Sequence, residues 1–331
     1  MFGNRSQGKS VFRQSQGGCL PQAGWRGNKM ITAIDLTKKF GDFTALDKVS
    51  CHIEEGSIYG MVGSNGAGKS TFLRVLAGVY KRNGGEISID GEDVWENTEV
   101  KSRMVFVPDE LYFLPGADIR RMGRLYKSVY KTFDDERFNM LLETFKLPPK
   151  KPIEMFSKGM KRQAAAILAL SVRPEYLLFD ETFDGLDPVM RKFVKSLICS
   201  DVAERKVTAI VTSHSLRELE DICDQLVLLH KGGVVLENDV SNLKTSLFKV
   251  QIAFSGAYDR SMFDDIGGIA EFEKNGSVAN MIIRGDMQAA SAKLKAKKPL
   301  LLDILPLSLE EVFIHEMERL GYSFDDVQDI T

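Results

Sequence analysis

Cysteine is scarce and shows no pairing pattern. The 331 residues hold four, Cys19, Cys51, Cys199 and Cys223, and no two form a C-x-x-C pair. That spacing points to neither a zinc site nor a dithiol redox motif, and a reducing cytosol is the default. Long apolar runs are also missing. None approaches the roughly 18–20 residues that cross a bilayer, so work at a membrane requires spanning helices from another polypeptide. No sign of charge dominates, because 44 basic against 46 acidic residues leave a formal net charge of −2. No overall field therefore draws the chain to nucleic acid or anionic lipid. Residues 1–29 lack acids altogether and carry Arg5, Lys9, Arg13, Arg26 and Lys29 among Gly, Gln and Ser. They have no apolar stretch for a secretory signal. An Arg-rich, acid-poor start fits an organelle transit peptide, but its glycines favour a disordered tail or a start assigned upstream of Met30.

Hydrophobic residues make up 44% of the chain and charged residues 27%, the balance of a globular protein able to bury a core. Ordered patterning begins at Met30. "MITAIDL" predicts a strand, "GDFTALDKVS" a turn and a second extended piece, and "SIYGMVG" a buried strand. "KSTFLRVLAGVY" then has helical spacing, and "NGGEISIDGEDV" places two turns around a short strand. From about 117 to 172 the pattern is mainly helical, with "ADIRRMGRLYKSVY", "FDDERFNMLLETF" and "KGMKRQAAAILALSV" as three helices and "LPPKKP" separating the last two. Alternation of strand and helix returns with "YLLFD", "MRKFVKSLI", "TAIVTS", "SLRELEDICD" and the hairpin "QLVLLHKGGVVLEND". After about residue 245 the composition shifts again, predicting a small α+β appendix of roughly 85 residues.

Residues Gly63-Ser64-Asn65-Gly66-Ala67-Gly68-Lys69-Ser70 fit G-x-x-x-x-G-K-[ST], between a predicted strand and a predicted helix. Glycines let consecutive backbone N–H groups turn inward to phosphate oxygens, and the helix that follows adds its positive end. Lys69 would reach the β- and γ-phosphates, and Ser70, followed by Thr71, would offer a hydroxyl to Mg²⁺. A glycine-rich turn ending in a helix cap is the structural alternative. By itself the loop says only nucleotide. Further on, "YLLFDETFDGLDP" ends an apolar strand in Asp180 and Glu181, where open α/β sheets place their ligands. Asp180 would serve the metal, and Glu181 the water that attacks the γ-phosphate, as general base or orienting group.

At this point the chain resembles the nucleotide-binding subunits of ABC transporters, from residue 31 to about 240. "FSKGM" at 156–160 stands where that family has its L-S-G-G-Q signature, "DGLD" at 184–187 resembles the D-loop, and "VTSH" ends in His214 at the switch-histidine position. Phe40 in "KKFG" resembles the aromatic residue that stacks on adenine. "SKGMKRQ" with "DGLDP" is similar to the ABC-2 and bacitracin-type exporter ATPases, especially the YtrB-like group.

The resemblance implies a P-loop NTPase (RecA-like) core with an antiparallel β subdomain and a helical subdomain. The domain division would be a cassette over 30–245, its helical part at about 100–172, and a C-terminal accessory domain over 246–331. It implies ATP and Mg²⁺ as ligands, with Glu181, His214 and Lys69 catalytic. Phe40, residues 63–71, Ser157, Gly159 and Asp187 would contact nucleotide, and Ser70, Asp180 and Asp109 would serve the metal. The implied assembly is a head-to-tail homodimer or heterodimer on the inner face of the cell membrane, driving a separate permease without nucleic acid. A non-transport ABC-type ATPase of translation or DNA repair is the alternative, and a GTPase or kinase the third.

Several positions depart from the family pattern. Lys158 replaces a glycine and Met160 the glutamine of the signature, so an added charge near the nucleotide is expected. Asp109, in "FVPDELYF", stands where the Q-loop glutamine is usual, which puts coupling at that loop in doubt. Phe183, in "DETF", stands where a small hydroxyl is usual, which implies altered packing and not lost catalysis.

Overall fold

In the computed structural model the chain is described over residues 30–240 and 247–319. The segment 1–29 and the expected domain boundary at 245/246 lie outside the described residues. Three sheets organise the rest. The first is antiparallel and contains β1 (Met30–Phe40), β2 (Phe43–Glu54), β4 (Gly84–Ile89) and β5 (Glu92–Asp93), in the order β2-β1-β4-β5. Its β1–β2 hairpin turns at Gly41, which has φ +58, a conformation that favours glycine.

The second sheet contains β3 (Ile58–Val62), β6 (Met104–Val107), β7 (Tyr176–Phe179), β8 (Thr208–Ser213), β9 (Gln225–His230) and β10 (Gly233–Asp239), in the order β10-β9-β3-β8-β7-β6. All its pairings are parallel except the β9–β10 hairpin. Because side chains alternate along a strand, each central strand is apolar on both faces. Tyr59, Met61, Leu178, Ile210, Val227 and Leu229 pack toward the first sheet and α1 (Lys69–Leu76). Val62, Leu177, Phe179, Val211 and Leu228 pack toward the helices on the other side.

Those helices include α3 (Ile119–Val129), α4 (Asp135–Phe145), α5 (Lys158–Ser171) and α6 (Pro188–Arg205); α2 (Thr98–Ser102) is a single short turn before β6. Aspartate and serine caps start them, with Asp118, Asp134, Ser157 and Asp187 each accepting a first-turn backbone N–H. The stretch from about 100 to 172 is not helical throughout, since Met104–Val107 forms the edge strand of the second sheet. Its four-residue apolar run is too short for periodicity to distinguish strand from helix. The helix expected over "SLRELEDICD" is also shorter, α7 spanning only Leu216–Leu219. The backbone N–H of Asp224 bonds to Ile58 O, which draws the chain into β9.

The third sheet contains β11 (Leu247–Ala253), β12 (Ile269–Asn275), β13 (Val278–Arg284) and β14 (Leu301–Pro306), all antiparallel, in the order β12-β13-β11-β14. With α8 (Met287–Ala296) it encloses its own core around Phe248, Val250, Phe263 and Met281. The last helix, α9 (Leu309–Arg319), packs back on the cassette instead. Leu309, Val312, Phe313 and Met317 join the core beneath the second sheet, and Arg217 on α7 pairs with Glu310 at 2.7 Å.

Candidate functional site

The ends of β3, β8 and β7 lie side by side, with Val62 opposite Ser213 and Val211 opposite Phe179. Whatever follows these strands is therefore gathered at one edge of the second sheet. After β3 comes the glycine loop. A Cβ at Gly63 would lie 2.3 Å from Leu229 O, and one at Gly68 would lie 2.8 Å from Ala45 O. Gly68 also has φ +110, so glycine is required there for both space and conformation. Gly66 at φ +84 faces open space, as does the exposed Asn65. Ala67 N–H closes a turn on Ser64 O at 3.1 Å. Helix α1 begins at Lys69 with no side-chain cap and no acid in its first turn, where Ser70 and Thr71 sit half-buried. Its first N–H groups remain available to an anion. Lys69 is buried and folds back, donating to Gly63 O at 2.5 Å and Ser64 O at 3.2 Å, with Glu181 Oε1 3.2 Å away.

Asp180 follows β7 and is fully buried. Its Oδ1 accepts from Ser70 Oγ at 2.9 Å and from Thr212 Oγ1 at 2.8 Å, whereas Oδ2 is buried without a partner. Burial pushes the carboxyl above the usual carboxylate range, and the bonds from Thr212 and Ser70 offset part of that rise. A buried carboxylate with one orphaned oxygen beside a serine hydroxyl is a hard-oxygen donor set, which fits Mg²⁺.

Glu181 has φ +47, a left-handed conformation that costs a non-glycine residue about 1 kcal/mol. Its N–H donates to Thr212 Oγ1 at 3.0 Å, which holds the turn. The turn aims the carboxylate back over the loop. Oε1 meets Lys69, and Oε2 lies 3.0 Å from His214 Nδ1 and accepts from His214 N–H at 3.2 Å. His214 is about half exposed, so the pair opens toward solvent.

The other expected contacts are distributed around this centre. Ser157 caps α5, accepting from Met160 N–H at 3.3 Å, and is exposed. Gly159 is tight against the next loop, where a Cβ would lie 2.7 Å from Gly185 O. Lys158 does not add a free charge, because its Nζ lies 2.6 Å from Asp184 Oδ2. Asp187 caps α6, accepting from Val189 and Met190 N–H at 3.0 Å. Phe40 stands 44% exposed at the tip of β1, with its ring 5.3 Å from Tyr80 in an edge-on contact. Asp109 is not joined to Ser70 or Asp180. Its Oδ1 is held by Arg162 of α5, a side chain only 2% exposed. Phe183 is buried, and Lys195 Nζ lies 5.6 Å from its ring centre.

Two residues escaped the sequence reading. Thr212 links both acids but lies in a β-branched strand run, where a threonine reads as packing. Arg162 reads as one more surface cation in "KGMKRQ"; its position at i+3 from Gly159 was the available signal.

The ABC transporter family profile matches residues 46–184. The chain is 30% identical over 285 residues to the ABC transporter ATP-binding protein YtrB of Bacillus subtilis, covering 86% of this chain and 97% of that protein. It is 33% identical over 218 residues to the bacitracin transport ATP-binding protein BcrA of Bacillus licheniformis, covering 65% of this chain and 71% of that one. Among solved structures, the ATP-binding subunit of an ABC transporter matches with TM-score 0.60 and 24% identity, covering 65% of this chain and 92% of that chain. A dimeric cassette in a post-hydrolysis state with ADP and phosphate matches with TM-score 0.59 and 22% identity, covering 64% of this chain and 99% of that chain; both show the fold. A phosphate cradle after β3, two acids after β7 with β8 between them, and these relatives agree, and the chain belongs to the ATP-binding subunits of ABC transporters, which are ATPases.

Proposed function

We propose that this chain powers an exporter by closing, with a second cassette, over two molecules of Mg²⁺-ATP. The observation that carries this reading is the convergence of Lys69, Ser70, Asp180, Glu181 and His214 on one edge of the second sheet. In this assignment the loop from Gly63 to Thr71 binds the phosphates and Phe40 stacks on the base. Ser70 and Asp180 would hold Mg²⁺, which draws charge from the β- and γ-phosphates. Lys69 leaves Glu181 for the phosphates, freeing Oε1 to orient water and accept its proton. His214 steadies Oε2 of the same carboxylate. Ser157 and Gly159 present the capped start of α5 to the γ-phosphate bound by the facing cassette, with Asp187 on the adjoining loop. Asp109 is left out of the metal set, because Arg162 holds its carboxylate.

The division of labour follows the sheets. Residues 30–245 are the motor, and 246–331 form an accessory unit latched to it through α9. Among the described residues no helix is long and apolar enough to cross a membrane. A separate permease therefore supplies the spanning part and holds the cassettes at the inner face of the membrane. The similarity to the YtrB-like and bacitracin-type group supports export.

The test is Glu181→Gln. ATP should bind and trap a stable dimer while turnover falls by at least about 100-fold, the usual scale of a lost general base. Unchanged turnover would remove Glu181 from this role. Co-purification of the tagged chain with a polytopic membrane protein distinguishes transport from a non-transport ATPase.

A further inference from the structure

Among the described residues Arg162 is the largest of the fully buried side chains, and it is a cation. It lies on α5 one turn beyond Gly159, and its guanidinium crosses to the loop after β6. Nη1 donates to Pro108 O at 3.3 Å, and Nη2 holds the carboxylate of Asp109. Burying a guanidinium is costly unless it is paired, so a side chain in this position is held by its partners. The same loop is one residue from the catalytic edge, since Val107 O accepts the backbone N–H of Asp180 at 2.9 Å. A short chain of bonds thus runs from α5 through Arg162, Pro108 and Val107 to Asp180. The start of α5 is also fixed to the loop after β7, by Lys158 with Asp184 and by the close approach of Gly159 to Gly185.

We propose that the Arg162–Asp109 pair is a positioning strap that sets the start of α5, with Ser157 and Gly159, relative to the Ser70–Asp180 centre. Asp109 serves as the counter-ion of the strap and not as a metal ligand. This rests on the reading that α5 closes over nucleotide held by the facing cassette. Each subunit binds ATP on its own loop, so the strap leaves that binding alone. It governs turnover, which requires α5 to arrive at the right distance. The acid at position 109 suits this role: an amide there would leave the buried guanidinium without its charge partner.

The experiment is a double-mutant cycle of Asp109→Asn, Arg162→Gln and the pair together, in the full chain. ATP affinity, the Mg²⁺ concentration for half-maximal rate, turnover and thermal unfolding are measured on each. The strap predicts that Asp109→Asn lowers kcat by about tenfold, equivalent to about 1.4 kcal/mol. ATP affinity and the Mg²⁺ requirement stay at wild-type values, and the double variant is no slower than the slower single variant. Additive losses, or an Asp109→Asn chain with a raised Mg²⁺ requirement, overturn the strap and return Asp109 to the metal. Unchanged turnover in Asp109→Asn also overturns it. If Arg162→Gln fails to fold, Asp109→Asn with its Mg²⁺ titration still decides, because position 109 is about half exposed. A wild-type chain that binds no ATP would defeat the underlying reading, a result distinct from all of these.

Discussion

Asp180 is held in the core at a cost in stability, and Asp180→Asn measures that cost. The carboxylate is fully buried, Oδ1 accepts two hydroxyl donors, and Oδ2 has no partner. In the variant the Ser70 and Thr212 hydroxyls keep the amide oxygen in the Oδ1 position, which puts NH₂ where Oδ2 stood. The unsatisfied atom then belongs to a neutral group and not to a charged one, a gain of about 1–2 kcal/mol in the ligand-free protein. For a chain of this size that raises the unfolding midpoint by roughly 1.5–3 °C. Because burial raises the carboxyl above its usual range in the folded state, that state binds the proton more tightly than the unfolded chain does. The wild-type penalty is therefore complete above the folded-state pKa. It fades as pH falls through that value and is gone below the unfolded one. The advantage of the variant should be largest at neutral pH and shrink toward pH 4. The assay is thermal unfolding of both proteins in chelator across that range, followed by addition of Mg²⁺-ATP, which should stabilise the wild type and not the variant. Equal or lower stability of Asp180→Asn at neutral pH, or an advantage that does not change with pH, refutes the argument.

Other outcomes follow from the same geometry. Gly63→Ala drives a Cβ into Leu229 O, with 2.3 Å available, and should abolish nucleotide binding and lower the unfolding midpoint. Gly66→Ala meets no atom and carries only its backbone strain at φ +84, so it should cost about 1 kcal/mol, read by the same melt. Phe40→Ala removes a ring already 44% exposed; calorimetric titration should show several-fold weaker ATP binding at an unchanged melting temperature. Glu181→Gln should accumulate as an ATP-bound dimer by size exclusion, as set out above.

Much of this molecule is written in local pattern. The glycine spacing, the apolar run ending in Asp180 and Glu181, and the serine before α5 are each short-range signals with a direct physical cause. The phosphate loop takes positive φ at Gly66 and Gly68, a buried parallel strand needs apolar residues on both faces, and a side-chain cap favours a helix start. Most of the strands, β6 excepted, and the order of the motifs could accordingly be read along the chain. Pairings between distant segments could not. Thr212 bridges two acids because β8 lies beside β7. Arg162 is buried because α5 crosses the loop after β6, and Lys158 is neutralised because Asp184 happens to face it. Edge strand β6 and the shortened α7 were decided in the same way, by the neighbours available to bond a backbone whose own residues were ambiguous. The sequence by itself determined which chemical groups the protein carries and where its turns can form. Only the tertiary structure decided which of those groups meet, because a contact across tens of residues depends on sheet order, and sheet order is a property of the whole packed chain.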